Sequence, residues 1–290
     1  MIFLIIFLSK KFFIKIKKYI FASYNVFLLL KANLYDHNIQ QKSILTSLNI
    51  KKYEKQKDSF RFNYPFRHVN GANFSTVRIS GDLVSSYVWR GFKQAGASVQ
   101  PALSVSAKGF TLGAWGSTDI AGKGNKEVDF YASYATSGLA FTVTDYWWDG
   151  EDAHRYFSSP KNTEETSYIG HSLETSLAYT FPESFPLTVA WNTFVLGQGN
   201  KKANGDNSFS TYVELSYPFS VKEVDFKIGT GFTPWESAMY GTDKFKFTSI
   251  HLGASKTVKI NDSFSIPVFA NIIANPAQED IHFVFGITIK

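Results

Sequence analysis

The chain contains no cysteine, which removes disulfide frameworks, zinc–thiolate sites and thiol nucleophiles. Charge is sparse as well. Only 19% of its 290 residues are Asp, Glu, Lys or Arg, against the ~25% usual in soluble domains. No apolar run is long enough for a helical membrane span of ~18 residues, because Lys10, Lys11, Lys15, Lys17 and Lys18 interrupt the stretch begun by Met1–Leu8. Helical periodicity is missing throughout the region from residue 74 onward. A net positive charge is missing there too. Residues 1–72 hold thirteen Lys/Arg against three Asp/Glu, a net +10, whereas residues 73–290 hold seventeen against twenty-one, a net −4. The overall +6 therefore sits in the tail, and the remainder offers no basic face for nucleic acid.

What the tail does contain is a basic start followed by Ile20, Phe21, Val26, Phe27 and Leu28–Leu30, the order of an export signal. Asn25 dilutes that core, Lys31 follows it, and no small-residue cleavage site stands near Ala32–Leu34. The expectation for residues 1–34 is a degenerate or extended export signal, with a basic amphipathic segment or a misassigned start as alternatives. Residues 35–73, polar and Lys-rich, read as a flexible linker.

From residue 74 the chain alternates apolar and polar positions in twelve segments: 74–91, 98–108, 110–118, 126–137, 139–148, 166–181, 186–196, 208–219, 224–233, 245–260, 264–274 and 280–290. Phe209, Val213, Leu215, Tyr217 and Phe219 share one parity, while Ser208, Ser210, Glu214 and Ser216 share the other. Ile281, Phe283, Phe285, Ile287 and Ile289 oppose His282, Thr288 and Lys290. A soluble sandwich also alternates, so parity alone does not decide. Segment length does more: strands of about 9–11 residues cross a hydrocarbon layer, whereas globular strands cluster near 5–6. Connection length is the most specific sign. Tight links at 108–109, 137–138, 182–185, 220–223 and 261–263 alternate strictly with longer ones at 92–97, 119–125, 149–165, 197–207, 234–244 and 275–279. Short inner turns, long outer loops and an even strand number belong to bacterial outer-membrane barrels. The expected fold is all-β: a transmembrane antiparallel up-and-down barrel of about twelve strands over residues 74–290. Tyr87, Trp89, Tyr146, Trp147, Trp148, Tyr179, Phe181, Tyr217 and Phe219 are expected at strand ends, where rings meet headgroups. Two places break the pattern. Phe245 and Phe247 oppose Ile250, Leu252 and Ala254 in parity, which predicts a bulge or a rise above the membrane. Asp145 shares the apolar parity of Leu139, Phe141 and Val143 and is expected above the lipid boundary.

Gly81–Gly91, Pro101-Ala102, Gly109–Ser117, Glu127–Tyr131, Trp191–Thr193, Thr211–Pro218 and Asn275-Pro276 together resemble the TorF-type porin group, also called the Gcw_chp family, over about residues 80–290. The resemblance implies an outer-membrane location in a Gram-negative bacterium and a pore, and no particular substrate. Residues 1–72 depart from the compact signal of that group, and the chain ends on Lys290 rather than an aromatic residue.

With apolar parity turned to lipid, Arg78, Asp82, Arg90, Glu127, Asp129, Glu174, Asn192, Glu214, Asp225, Lys227, His251, Asn271 and His282 are expected to line the lumen. Twelve strands give a bore between side-chain-filled eight-stranded barrels and open porins. The charges either form a constriction that orders a small solute and favours cations, or pair to neutralise a packed interior. The expected function is a porin-like channel for passive movement of small polar solutes, mildly cation-preferring. The alternatives are a closed structural or adhesive barrel and an outer-membrane hydrolase. Expected partners are the bilayer, the barrel-assembly machinery and small polar solutes, with no nucleic acid, cofactor or metal. Enzymatic constellations are thin: His171 and Ser172 are neighbours and point to opposite faces. His251 and Ser255 share a face without an evident orienting acid, and His154 with Asp149, Glu151 and Asp152 reads as a solvated loop.

Overall fold

The computed structural model describes residues 76–124, 126–149, 156–157 and 170–290. The expectations for residues 1–34 and 35–73, and for His154, lie outside these. Twelve antiparallel strands close a barrel in which each strand pairs with its chain neighbours: β1 (Thr76–Val84), β4 (Ser98–Ala107), β5 (Phe110–Asp119), β6 (Lys126–Thr136), β7 (Leu139–Asp149), β8 (Gly170–Thr180), β9 (Thr188–Gly197), β10 (Thr211–Val221), β11 (Val224–Thr233), β12 (Lys246–Lys259), β13 (Ser265–Asn275) and β14 (Asp280–Ile289). β14 returns to β1 with Gly81 opposite Ile289 and Val84 opposite Gly286. The remaining two strands, β2 (Tyr87–Trp89) and β3 (Phe92–Ala95), form a separate hairpin between β1 and β4.

This hairpin corrects the sequence reading, in which 74–91 was one strand and 92–97 an outer loop. β1 stops at Val84 and the chain turns into the barrel. Its tip, Arg90-Gly91, has φ of 52° and 91°, the left-handed pair of a two-residue hairpin turn. Lys108-Gly109 and Ser137-Gly138 repeat those signs between barrel strands, at the tight turns expected from sequence.

Polarity is reversed relative to a soluble core. Outward rows are apolar and bare: Ile79 and Ile281 are each 73% exposed and Leu112 66%. Inward rows are polar and covered, with Glu174 and Asn192 both at 0%. Soluble monomers do not leave so continuous an apolar belt to water. Aromatic pairs gather near both rims. Phe110–Tyr134, Tyr179–Phe181 and Phe219–Phe226 lie towards the short turns. Trp147–Tyr156, Trp191–Trp235 and Phe232–Phe247 lie towards the long loops. Tyr87, Trp89, Tyr146 and Trp148 depart from the expected rim positions. They turn into the lumen, the first two on the hairpin and the last two on the inward parity of β7.

The predicted irregularity in β12 is a bulge: Gly231 faces Ser249 and Phe232 faces Phe247, leaving Thr248 as the extra residue. A second bulge falls where Leu173 faces Leu196 and Glu174 faces Phe194. Asp145 does face outward, near the long-loop rim. Tyr156 donates its hydroxyl to Asp145 Oδ2 at 2.7 Å, and His171 Nδ1 stands 2.9 Å from the same oxygen. His171 Nε2 is 2.6 Å from the Tyr156 carbonyl, so both ring nitrogens face acceptor oxygens. Burial, then the Asp145 carboxylate, pushes the Tyr156 phenol up to about 12, keeping it a donor.

Several lumen glycines lie under a ring from the next strand: Gly113 under Tyr131, Gly231 under Tyr212, Gly286 under Phe269. A Cβ on Gly286 would come within 2.5 Å of both the Leu83 carbonyl oxygen and the Phe269 ring. Gly286→Ala is therefore expected to destabilise the barrel by about 1–3 kcal/mol through overpacking, read as a lower temperature for loss of the compact band in heat-modified gel electrophoresis.

Candidate functional site: a hairpin clamped across the lumen

The site begins with a two-residue turn that places arginine in the barrel interior. Non-glycine residues with positive φ are uncommon and frequently functional, and Arg90 is one of them. Its Nη2 donates to both oxygens of Glu174, each at 2.9 Å, and its Nη1 donates to the Tyr240 hydroxyl. The two charged side chains are 5% and 0% exposed. The guanidinium carbon lies 4.5 Å from the Trp89 ring centroid, 4.8 Å from Tyr212 and 6.0 Å from Tyr240. A dry ion pair is tolerated only with good geometry and added hydrogen bonds; here the tyrosine hydroxyl and ring faces supply them.

Each wall of this clamp has its own support. Beside the bulge, Phe194 continues the inward row of Ala190 and Asn192 and packs on Trp89, Tyr146, Trp148 and Tyr240. Tyr240 stands on a short 3-10 turn, Ala238–Tyr240. That turn is fastened by donation from Ala238 N to Ser208 Oγ and from Met239 N to Ser210 Oγ, each at 3.0 Å. Asn200 fixes the adjoining loop, accepting from Ser210 N at 2.8 Å and donating to the Phe194 carbonyl at 2.8 Å. At the hairpin tip Asn275 Nδ2 donates to Gly91 O at 3.2 Å, and Gly91 abuts the carbonyl of the bulge residue Thr248, leaving no room for a Cβ. At the hairpin base Asp119 accepts from Gly96 N at 2.9 Å and from Ala121 N at 2.7 Å. Both bulges thus adjoin the insert, the place where a ladder is commonly distorted for function.

The expected lumen residues fall into groups. Arg90 and Glu174 meet in the clamp, although Arg90 belongs to the hairpin and not to a barrel strand. Glu214 accepts from the Tyr212 hydroxyl at 3.2 Å and lies 3.7 Å from Lys227 Nζ. His251 Nδ1 is 3.2 Å from Ser249 Oγ. Tyr212, Glu214, Ser249 and His251 border a cavity of about 50 Å3, lined also by Trp89, Arg90 and Tyr146, room for roughly three or four waters. Glu127 and Asp129, both buried, sit side by side on the inward row of β6. Asn192 Nδ2 donates to the Tyr212 carbonyl at 3.0 Å. Asp225 accepts from Ser220 Oγ near the short-turn rim. Arg78, Asp82, Asn271 and His282 occupy inward positions on β1, β13 and β14, away from the clamp. Ser255 Oγ makes no hydrogen bond, so the His251–Ser255 combination lacks the nucleophile–base contact of a hydrolase.

Sequence reasoning missed Trp89, Tyr212, Tyr240 and Phe194 as site residues. One signal was available: Arg90-Gly91 is an X-Gly turn like Lys108-Gly109 and Ser137-Gly138.

Fold and site together define a closed twelve-stranded antiparallel barrel, apolar outside and polar within, with an internal hairpin. The chain belongs to the family described as bacterial protein of unknown function (Gcw_chp), whose model matches residues 70–271. No curated protein matches it. Among solved structures it is similar to Pseudomonas aeruginosa OprD (11% identity, 73% of this chain and 66% of that one, TM-score 0.34). It is also similar to a triple mutant of the Rhodopseudomonas blastica porin (12%, 71% and 61%, 0.32) and to BamA from Haemophilus ducreyi (10%, 69% and 41%, 0.32). The chain spans less than two thirds of each of these proteins. At such scores the likeness adds nothing to the fold, which stands on this chain's own strand pairing.

Proposed function

We infer that the protein is a porin-like channel of a bacterial outer membrane, passing small polar solutes passively through a lumen that the hairpin narrows. The observation that carries this reading is the reversed polarity: an apolar belt outside and charged, hydrogen-bonding rows inside. The short turns would face the periplasm and the long loops the exterior. Residues 1–34 would serve export, and the barrel-assembly machinery would insert the chain. This is the porin character that the TorF-type name carries, and the reading involves no chemistry on the solute.

Six lumen carboxylates (Asp82, Glu127, Asp129, Glu174, Glu214, Asp225) against Arg78, Arg90 and Lys227 support a mild preference for cations. In planar bilayers under a KCl gradient, the reversal potential should have the sign of cation selectivity. The combined change Glu127→Gln and Asp129→Asn should move it towards zero. Anion selectivity in the unaltered protein would refute the preference.

A second reading, a closed structural or adhesive barrel, draws support from the small cavity beside the hairpin and the ring cluster around it. It predicts that the native protein carries no current at all.

A further inference from the structure

We propose that the cage around Arg90 is a recognition site for guanidinium-bearing cations, filled at rest by the chain's own arginine. The proposal deepens the channel reading by naming a solute class for this lumen. Its first support is how the cage is divided. Arg90 and Trp89 arrive on the hairpin, but Glu174 belongs to β8, Tyr212 to β10 and Tyr240 to the loop after β11. A carboxylate and two ring faces therefore stay behind if the hairpin withdraws. What remains fits one kind of visitor. Glu174 stays on β8 with both oxygens directed at the vacated place, so that place attracts a cation. The flanking rings favour a flat, weakly hydrated one, which stacks as a guanidinium does and as a compact, strongly hydrated ammonium does not.

The second support is the turn itself. Turns of this hand favour Asn, Asp or Gly ahead of the final glycine; Lys108 and Ser137 take that place in turns between barrel strands, whereas Arg90 is carried inside to a buried carboxylate. The third is the adjoining cavity, bordered by Tyr146, Tyr212 and Glu214, where the remainder of a slim cationic solute would extend from the cage. A tethered arginine facing its own site at high effective concentration makes free solutes weak competitors. The site then answers only to abundant solute.

The test uses the full-length protein in detergent, with methylguanidinium as probe and methylammonium at equal ionic strength as control. In Arg90→Ala, methylguanidinium should bind saturably, quenching tryptophan fluorescence. It should bind about tenfold more tightly than methylammonium, the weight of one or two cation–π contacts. Adding Glu174→Gln should remove that preference. In the unaltered protein, methylguanidinium should speed hydrogen exchange of the Tyr87–Ala95 amides while methylammonium does not. That arm needs no variant and stands if Arg90→Ala fails to fold. Equal behaviour of the two probes in either arm overturns the proposal. Binding is read without a membrane, so a protein that binds methylguanidinium but carries no current refutes the channel and leaves the cage. A conducting protein indifferent to methylguanidinium does the reverse.

Discussion

Arg90→Ala should release the hairpin while leaving the barrel closed. Removing one partner of a buried pair costs about 3–5 kcal/mol, because the other charge is left without compensation. Here the stranded group is Glu174, with both oxygens directed at the missing guanidinium. The barrel strands have no cheap response, since β8 is paired along its length with β7 and β9. The hairpin does have one. It joins the wall only through short links on either side and is held at its tip by Arg90 and by the Asn275 contact to Gly91. Water reaching Glu174 past a loosened hairpin relieves the penalty. Amide exchange across Tyr87–Ala95 should accelerate by roughly two to three powers of ten, with barrel-strand amides unchanged, and unit conductance in bilayers should rise. Adding Glu174→Gln removes the buried charge and should return part of the protection. Unaltered exchange in Arg90→Ala would mean that the aromatic packing alone holds the hairpin.

The second large effect separates lipid from water outside the barrel. Leu103 and Ser104 are neighbours on β4; Leu103 is 47% exposed on the outer face, and Ser104 points to the lumen. Arginine on the lipid face of a barrel costs about 2–4 kcal/mol near mid-membrane. An arginine at an exposed position of a water-soluble protein changes stability by only about ±0.5 kcal/mol. Leu103→Arg should therefore lower folding stability in phospholipid vesicles by the larger amount, with Ser104→Arg affected less. If Leu103→Arg proves neutral and the protein stays dispersed without detergent, the outer belt does not meet acyl chains.

The contrast between wall and insert also explains what could be read from the residues alone. Barrel strands advertise themselves because their two faces meet different surroundings, and the period of two survives in segments such as 208–219 and 280–290. Lys108-Gly109 and Ser137-Gly138 locate tight turns through glycine's access to positive φ. The β12 bulge is legible as a parity slip between Phe247 and Ile250. The hairpin escapes the same reasoning because it preserves parity: Tyr87 and Trp89 continue the odd-numbered row of Ile79 and Leu83, so the turn inward after Val84 leaves the alternation intact. Apart from the X-Gly pair Arg90-Gly91, it is the packing of those rings against β7, β9 and the loop after β11 that reveals it. The Arg90–Glu174 pair spans 84 residues, and Tyr240 comes from a loop without periodicity, so no local pattern could join them. Asp145 stood out correctly as an anomaly, but the His171 and Tyr156 groups that make it tolerable emerge only when β7 and β8 lie side by side.

The glycines beneath Tyr131, Tyr212 and Phe269 have a bearing on the shape of the interior. A ring set against a neighbour's bare backbone fills the space a side chain would take there and acts as cladding, so the wall is closely packed at these points. The short ribbon between β1 and β4 is not laddered to either of them and is held instead by side-chain contacts. A wall so braced fixes the outline of the interior, and the ribbon occupies the space within it.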